Sequence, residues 1–493
     1  MDRDDIIAIE RAARGAEAGA AAASTAPLPW IEVAPGAPYF ATGRGDAWTP
    51  IGQNDSISWI ELKGLFGRRD LPGVARHLKH LADHGVTCLR LMLEYAQVRH
   101  RYFERPMGTF PPAMVQLWDD LFALCEQHGL RLLLTPFDTY WTWIHWRHHP
   151  YNRENGGCLD GFHRVLLSAD ARRAIKARFS FAIERWGGSG ALFAWDLWNE
   201  IHPAQAEGRA DVFDEFIHDL STHVRQLERR RFGRAHPQTV SLFGPELWWR
   251  PHLPLKEPIF RHPDLDFATI HLYHQGTIDH PRNTVAPALA TGRIVRESIA
   301  EIGDGRPFLD SEHGPIHTFK DKKKSLAEPF DDEYFRHMQW AHLASGGAGG
   351  GMRWPNRKPH TLTAGMRRAQ RALAAFLPLI DWPRFRRVNL NEEVAVSARG
   401  VAAFACGDAR QALVWLLRTG IGAADGRLRR DAVAIAPRLR VPGLAAGRYR
   451  VTAWDTAAGH ASTTIEAEAT HDTGLALVVP PFATDVALAI RPA

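Results

Sequence analysis

Residues 191–200 read ALFAWDLWNE, and residues 306–314 read RPFLDSEHG. Each stretch contains a short apolar run and then an acidic residue, Glu200 in the first and Glu312 in the second. A continuous run of apolar residues is typical of a strand that is buried on both faces, as in a parallel sheet. The two stretches therefore predict buried parallel strands that each carry a glutamate at the carboxyl end.

Apolar runs of the same kind recur along the first three quarters of the chain. The eight predicted strands are Thr49–Asn54, Val86–Leu93, Leu130–Pro136, Leu192–Leu197, Thr239–Phe243, Phe267–His271, Pro307–Asp310 and Gly349–Trp354. Segments with helical periodicity lie between most of them, at Leu71–His84, Pro112–His128, Ala169–Trp186, Ala210–Arg231, Arg293–Gly303, Asp331–Ser345 and Leu362–Leu377. The fifth connection, Gly244–Asp266, is rich in proline and predicts no clear helix.

This alternation of strands and helices predicts an α/β fold. Eight βα units over about 330 residues are typical of a (β/α)8 TIM barrel with inserted loops. A doubly wound open sheet is the alternative architecture, but no GxGxxG turn follows an early strand. The active site of a barrel lies where its strands end, and both glutamates lie at such positions.

The two glutamates are the candidate catalytic pair. Hydrolysis of an acetal between sugars requires one carboxylic acid to protonate the leaving oxygen and one carboxylate to attack or stabilise the sugar carbon. A carboxylate at the mouth of a buried strand is costly to desolvate, and such residues are often kept for chemistry. For either glutamate alone, a surface or ion-pair role is the alternative. Glu246 is the rival carboxylate, although it follows the fifth strand within a loop.

Composition limits the classes of function. The chain has 493 residues, 45% of them hydrophobic, and a net charge of +5, which suits a two-domain globular protein with a large core. No apolar stretch is long enough to span a membrane, and no basic block interleaved with aromatic residues indicates nucleic acid. The four cysteines are scattered without a CxxC motif, so we expect free thiols.

The pattern of apolar residues changes at about Val388, where short runs of alternating apolar and polar residues replace the helical periodicity. These runs are Val394–Ser397, Ala402–Cys406, Ala412–Leu417, Ala432–Ile435, Tyr449–Ala453, Leu475–Val479 and Val486–Ile490. Turn residues separate them, a pattern that predicts a smaller C-terminal β-sandwich domain. We expect this domain to pack against the barrel, either as a structural module or as one that contacts glycans.

The predicted organisation therefore has three parts. Residues 1–35 form a short helix and an Ala/Gly-rich linker, residues 36–383 form the catalytic barrel, and residues 384–493 form the β-sandwich. The amino-terminal segment is acidic and polar where a secretory signal would be basic and then apolar. We expect a cytoplasmic protein as the sequence is given, and a secreted or periplasmic one if a leader precedes it. The oligomeric state is left open.

The WNE and SEHG motifs resemble those of the clan A retaining glycoside hydrolases, most closely the cellulase- and mannanase-like enzymes of family 5. The resemblance covers about residues 37–380. It implies that Glu200, preceded by Asn199, is the acid/base and that Glu312 is the nucleophile. It also implies a retaining glycosidase of polysaccharide degradation, acting on a β-linked oligo- or polysaccharide or glycoside, with no metal and no organic cofactor.

Four accessory positions also match the family. The resemblance implies that Arg90 and Tyr273 keep the nucleophile ionised and that His271 contacts the acid/base or the substrate. It implies that Trp354 forms the floor under the reacting sugar and that Asn199 binds the 2-hydroxyl. The alternatives are a structural barrel arginine, a core histidine or one half of a metal-binding pair with His274, and a tryptophan that only caps the barrel.

The third predicted strand departs from the family pattern, because it ends TPFDTYW where many relatives have a histidine. The candidate replacement is Asp138 or a residue of the loop that follows it. The loop at residues 140–155 that follows is rich in tryptophan and histidine. It predicts either a platform on which sugars stack or a packed lid with its own small core. The platform candidates are Tyr140, Trp141, Trp143 and Trp146, and further subsites are predicted at Trp48, Trp248 and Trp249.

Two other functional classes remain as alternatives to a retaining glycosidase. One is a metal-dependent hydrolase that uses histidines at the barrel mouth, since the chain has 25 histidines. The other is a catalytically silent barrel that binds glycans. Activity after exhaustive chelation would exclude the first alternative, and binding without cleavage would favour the second.

Overall fold

The structure is a computed structural model that describes residues 27–94, 102–273, 281–314, 325–355, 357 and 359–493. The predicted amino-terminal helix lies outside the described residues, as does His274. Within the described part of the chain, no helix combines the length and apolar character needed to cross a bilayer.

Eight parallel strands form the barrel, and a small three-stranded sheet precedes them. The small sheet consists of β1 (Ile31–Val33), β2 (Phe40–Thr42) and β3 (Ala47–Trp48). The barrel strands are β4 (Gly52–Asn54), β5 (Cys88–Met92), β6 (Arg131–Thr135), β7 (Leu192–Asp196), β8 (Gln238–Thr239), β9 (Ala268–Leu272), β10 (Phe308–His313) and β11 (Met352–Arg353).

The pairing order of these strands closes the sheet on itself. The strands lie in the order β8-β7-β6-β5-β4-β11-β10-β9, so the first strand pairs with the last. A parallel bridge between Phe243 and His271 joins the two remaining edges. The predicted (β/α)8 TIM barrel is therefore confirmed, and the carboxyl ends of all eight strands open on one face.

Helices follow the barrel strands, and most lie near the predicted positions. They are α1 (Leu71–Asp83), α2 (Pro112–His128), α3 (Thr139–Ile144), α4 (Ala169–Trp186), α5 (Phe213–Phe232), α6 (Glu246–Trp249), α7 (Val285–Ile302), α8 (Glu328–Ala344) and α9 (Ala364–Phe376). The short α3 and α6 were not predicted, and α7 begins well before the predicted start at Arg293. Capping explains several ends: Ser168 accepts the Ala171 N–H at the start of α4, and Gly129 ends α2 in a left-handed conformation. The fifth connection holds only the single turn of α6 and a short π-helical turn at Glu257–Arg261.

The small sheet of β1–β3 closes the amino-terminal end of the barrel. Trp48 packs against Phe40 and Phe193, with ring centroids 6.2 and 4.6 Å away, and is 7% exposed. Phe193 lies near the start of β7, at the end of the strand opposite Glu200. The prediction that Trp48 adds a sugar subsite is therefore wrong, because this side chain fills the bottom of the barrel.

The C-terminal domain is a nine-stranded antiparallel sheet in the order β12-β14-β15-β20-β17-β18-β19-β16-β13. Its strands are β12 (Val388–Asn389), β13 (Ala395–Val396), β14 (Val401–Gly407), β15 (Ala412–Arg418), β16 (Arg438–Val441), β17 (Gly447–Asp455), β18 (His460–Thr470), β19 (Gly474–Val478) and β20 (Asp485–Pro492). The sheet folds over a core shared by residues of β15 and β20 and of β16 and β19, which agrees with the predicted sandwich.

Three strands of this domain were not predicted, namely the two-residue β12, β16 and β18. β18 reads HASTTIEAEAT and is mostly exposed, so it lacks the apolar alternation that marks a half-buried strand. β16 is only four residues long and alternates arginines with Leu439 and Val441. The predicted strand Ala432–Ile435 is wrong, because only a single bridge, between Ile435 and Phe482, forms there.

A buried ion pair joins the two domains. Nη1 of Arg336, on α8, lies 2.7 Å from Oδ2 of Asp485 at the start of β20. The indole N–H of Trp415 donates to the same oxygen at 3.0 Å, and Thr456 donates to it as well. Burial alone would raise the pKa of Asp485, but the charge of Arg336 outweighs it and holds that pKa below its usual range.

Removing one member of this pair should destabilise the protein strongly. We expect Asp485→Asn to lower the free energy of unfolding by about 3 kcal/mol, since it leaves the Arg336 charge buried without a counter-charge. The matched control is Asp425→Asn, which breaks the solvent-exposed pair with Arg427 and should lower the free energy of unfolding far less. Urea unfolding at pH 7 measures both, and equal losses would contradict the prediction.

Candidate active site

The two predicted glutamates face each other across the open mouth of the barrel. Glu312 is the fifth residue of β10, and Glu200 lies four residues beyond the end of β7. One ligand atom each from Glu200, His271 and Glu312 lies within 4.8 Å of the others. Retaining glycosidases hold their two carboxyl groups about 5–5.5 Å apart, whereas inverting enzymes hold them about 6.5–9.5 Å apart. The spacing therefore fits the retaining geometry.

His271, at the end of β9, lies between the two carboxyl groups. Its Nδ1 is 2.6 Å from Oε1 of Glu200, a hydrogen bond, and 3.7 Å from Oε2 of Glu312. The ring is completely buried, and burial lowers its pKa to about 4. His271 is therefore neutral at neutral pH and does not act as a cation between the two acids.

Irregular backbone aims each glutamate into the mouth. Glu200 has a φ of 51°, a left-handed conformation that costs a non-glycine residue about 1 kcal/mol or more. The hydroxyl of Ser241 accepts its N–H at 3.0 Å and supports this turn. On β10 the register with β9 shifts between Asp310 and Glu312, which marks a bulge. The amide of Asn54 donates to the Ser311 carbonyl at the bulge, at 2.9 Å.

Arg90 connects the acids beneath the mouth. This buried guanidinium on β5 donates from Nη1 to Oε2 of Glu312 at 3.1 Å and from Nη2 to Oδ2 of Asp196 at 2.7 Å. It also donates to Asn199 at 2.5 Å and to Asn54 at 2.9 Å. The two carboxylates compensate the charge of Arg90, and the buried hydrogen bonds hold its guanidinium in one position.

Burial dominates the acidity of both glutamates. It raises the pKa of Glu200 to about 7, although Arg90 opposes the rise. Burial also raises the pKa of Glu312 from its usual value, against the opposing effects of His271, Arg90 and a Tyr273 hydrogen bond. The hydroxyl of Tyr273 donates to Oε1 of Glu312 at 2.6 Å. The predicted contacts of Arg90 and Tyr273 with Glu312 therefore form.

Asn199 and Asp138 form one buried unit. The Asn199 amide donates to Oδ1 of Asp138 at 2.6 Å, and its carbonyl oxygen accepts from Arg90. Asp138 also caps α3 by accepting the N–H groups of Tyr140 and Trp141. It is 1% exposed, and burial raises its pKa to about 7. The structure therefore gives Asp138 a positioning contact with Asn199, while a sugar contact there stays a prediction.

Trp354 lies beside the candidate pair and is partly exposed. Its N–H donates to the His313 carbonyl at 2.9 Å, which fixes the backbone next to Glu312. Its ring packs edge-on against Trp59, with centroids 5.2 Å apart. This placement leaves part of the indole available at the mouth, as a floor under the reacting sugar requires.

The loop after the third barrel strand divides into buried and exposed aromatics. Trp141 is fully buried, with its ring 4.0 Å from that of His145 and 5.9 Å from that of Tyr102. This burial favours the packed-lid interpretation for Trp141, because a fully buried ring offers no surface on which a sugar can stack. Trp143 on the same helix is 55% exposed and stays a platform candidate.

The rival carboxylate Glu246 is paired with basic groups. Its Oε2 lies 2.9 Å from Nη1 of Arg250, and its Oε1 lies 3.7 Å from Nε2 of His202. On the same short helix, Trp248 and Trp249 are 42% and 52% exposed, so both remain subsite candidates.

Three positioning residues were missed by sequence reasoning. Asp196 and Asn54 bind Arg90, and Ser241 links Asp196 to the backbone of Glu200. Asp196 had a usable signal, because a charge inside the apolar run ALFAWDLW must be compensated when the strand is buried. Ser241 and Asn54 gave no such signal in the sequence, because their positioning role depends on contacts with residues distant in the chain.

Comparison with known proteins gives matches in both sequence and fold. The chain is 24% identical over 287 residues to a probable mannan endo-1,4-beta-mannosidase F of Aspergillus oryzae, covering 56% of this chain and 57% of that protein. It is 26% identical over 207 residues to a probable mannan endo-1,4-beta-mannosidase A of the same fungus, covering 41% of this chain and 50% of that protein. The chain thus spans about half the length of these curated relatives. No protein-family model matches it.

The similarity to solved structures extends over nearly the whole chain. A glycoside hydrolase family 5 protein of Bacteroides vulgatus ATCC 8482 superposes with a TM-score of 0.59 at 12% identity, covering 94% of both chains. A second glycoside hydrolase gives the same TM-score and identity, and covers 94% of this chain and 98% of that one. The resemblance to glycoside hydrolase family 5 is confirmed. At these identities the matches establish the shared fold, a barrel followed by a β domain.

The raised pKa of Glu200 predicts that removing its charge stabilises the protein at alkaline pH. The unfolded group has a pKa of about 4.3, so ionisation costs the folded state more than the unfolded state. The folding stability contributed by this group is therefore highest below about pH 4.3 and falls as pH rises to about 7. We expect Glu200→Gln to be more stable than the wild type by about 2 kcal/mol at pH 8, with the difference vanishing near pH 4.

Urea unfolding at the two pH values measures this difference. The matched control is Glu393→Gln, an exposed glutamate in the C-terminal domain, which should change the unfolding free energy by less than about 0.5 kcal/mol. A Glu200→Gln protein that is less stable than the wild type at pH 8 would contradict the prediction.

Proposed function

We propose that this protein is a retaining glycoside hydrolase that cleaves a β-linked glycan. The observation that carries the proposal is the pair of opposed carboxyl groups, Glu200 and Glu312, with ligand atoms within 4.8 Å of each other across one mouth. The pair has two different environments, since Glu312 accepts from Arg90 and Tyr273 while Glu200 is 22% exposed beside His271. Different environments suit different roles for two chemically identical groups.

In the first step Glu312 attacks the anomeric carbon and forms a glycosyl-enzyme ester. Glu200 gives its proton to the departing glycosidic oxygen as that bond breaks, so the leaving sugar departs as a neutral alcohol. A pKa of about 7 keeps much of Glu200 protonated at neutral pH, as a general acid must be. In the second step Glu200, now ionised, removes a proton from water, and the resulting oxygen displaces Glu312 from the sugar.

The residues around the pair support these steps. Arg90 and Tyr273 hold the two oxygens of Glu312 in separate hydrogen bonds, which fixes the carboxylate for attack. Asn199 is immobilised between Arg90 and Asp138, so its amide is preorganised to meet a sugar hydroxyl. The partly exposed indole of Trp354 offers a flat apolar surface for the C–H face of a pyranose.

The proposed substrate class is a β-linked mannan-type oligo- or polysaccharide. The sequence relatives carry the name mannan endo-1,4-beta-mannosidase, and this is the reason to place mannans first among β-glycans. Exposed Trp143, Trp248 and Trp249 offer flat apolar rings that could stack successive sugars of such a chain. We assign the C-terminal domain a structural role, because an apolar face of its sheet shares one core cluster with the barrel helices.

Product stereochemistry tests the proposal directly. We expect proton NMR of early mannan or aryl β-mannoside hydrolysis to show the β-anomer first, since two displacements at one carbon restore its configuration. Hydrolysis well below the unfolding temperature should persist after exhaustive EDTA treatment, which separates this mechanism from a metal-dependent one. An α-anomer as first product would refute the retaining mechanism, and binding without release of reducing ends would indicate a silent barrel.

Substitution of the two glutamates tests their separate roles. Glu312→Ala should lower kcat by more than about 10⁴-fold on every substrate, since no covalent intermediate can form. Glu200→Ala should lose about 10²–10⁴-fold on poor leaving groups but much less on an activated aryl glycoside, with azide raising the rate. The control is Glu246→Gln, which alters the rival carboxylate and should retain azide-independent turnover. Wild-type behaviour of the Glu200 variant would overturn the assignment.

A further inference from the structure

A second cluster of metal-ligating side chains lies away from the candidate catalytic pair, between the first and last βα units of the barrel. Asp55 directly follows β4, Glu61 lies in the loop after it, and His77 lies on α1. One ligand atom from each lies within 4.8 Å of the others. Nε2 of His77 is 4.0 Å from Oδ2 of Asp55, and Nδ1 is 3.8 Å from Oε1 of Glu61.

The polar atoms of this cluster lack hydrogen bonds that buried groups normally make. Asp55 is 4% exposed, and its Oδ2 has no hydrogen-bond partner among the residues that the structure describes. Within the same described ranges, Oε2 of Glu61 and Nε2 of His77 are also without a partner. Native proteins rarely leave buried polar atoms unsatisfied, so three such atoms in one cluster point to a group that binds among them.

The electrostatics of the cluster also favour a bound cation. Burial raises the pKa of Asp55 well above its usual value, and the nearby Glu61 adds to the rise. Burial raises the pKa of Glu61 and lowers that of His77 to about 3, with Arg367 contributing to the latter. A dication bound among these three side chains would offset the repulsion between the two carboxylates.

The competing explanation is that the two acids only balance the charge of the nearby Arg367. Arg367 on α9 faces the cluster, but its Nη1 donates to Oε1 of Gln370 at 2.9 Å and to Gln53. His80, on the same helix as His77, is the other nearby titratable group, and burial and its neighbour His84 lower its pKa. Arg367 therefore balances part of the charge without satisfying the open ligand atoms.

We propose that Asp55, Glu61 and His77 bind a divalent transition-metal ion, for which zinc is the probe. One imidazole nitrogen and two carboxylate oxygens are donors that zinc accepts, with a fourth position left for water. Zinc bonds to such donors are about 2.0–2.2 Å long. One ion therefore binds a single nitrogen of His77 together with one oxygen of each acid, three atoms that lie within 4.8 Å of one another. The ion would link the end of β4 to α1, close to where the first and last barrel strands pair. The proposed site is therefore a structural one.

Zinc binding by the full chain, stripped of metal by chelation and dialysis, tests this site. We expect one zinc per chain by elemental analysis and calorimetry, together with a rise of several degrees in the unfolding temperature. His77→Gln should weaken zinc binding at least tenfold and abolish the thermal shift, while hydrolytic activity in the absence of zinc stays unchanged. Asp55→Asn, which is nearly isosteric, should lose zinc in the same way and serves if the first variant does not fold.

The candidate catalytic residues form another donor set, so Glu200→Gln is the matched control. The proposal is supported if this variant keeps the zinc-dependent shift that His77→Gln loses. The reverse pattern would place zinc at the catalytic mouth and overturn the proposal, as would a wild-type protein that binds no zinc. The proposed hydrolysis needs no metal, so the zinc experiment does not decide the proposed function, which is tested separately by product stereochemistry and the glutamate variants.

Discussion

The buried charge of Arg90 is the constraint on which the mouth of the barrel depends. A guanidinium inside a barrel is tolerated only when carboxylates and amides accept its protons. Asp196 and Glu312 supply the charge, and Asn54 and Asn199 supply further oxygens. Each of these residues is thereby restricted in position, because any displacement leaves a polar group unpaired. The arginine thus links four strands through one side chain.

The barrel strands alone do not aim the two glutamates at each other. Regular strand geometry alternates side chains between the two faces of the sheet, and the bulge between Asp310 and Glu312 interrupts this alternation. On the other side, Glu200 reaches the mouth through a left-handed turn beyond β7. Both irregularities are held by polar side chains, Asn54 at the bulge and Ser241 at the turn. Local strain and its supports lie together, as is common at functional sites.

Sequence reasoning succeeded where one segment decides its own structure. The ends of α2 and α4 were predicted to the residue, because periodicity and capping are local. The catalytic candidates were found because an acid ending an apolar run is a local signal as well. Trp48 was misplaced because nothing in its own segment tells which end of a barrel it closes. Ser241 was missed because its importance depends on Asp196, on β7, and on Glu200, in the turn after that strand.

The charge of the mouth stays constant through the proposed reaction, and this explains the position of His271. Before attack the negative charge is on Glu312 and the proton on Glu200; in the glycosyl-enzyme, Glu312 is an uncharged ester and Glu200 carries the charge. Nδ1 of His271 lies within 3.7 Å of an oxygen of each. A neutral ring there can orient toward whichever oxygen is charged, whereas a cation would favour both acids ionised and remove the proton that the first step requires. The complete burial that keeps this imidazole neutral is therefore part of the chemistry.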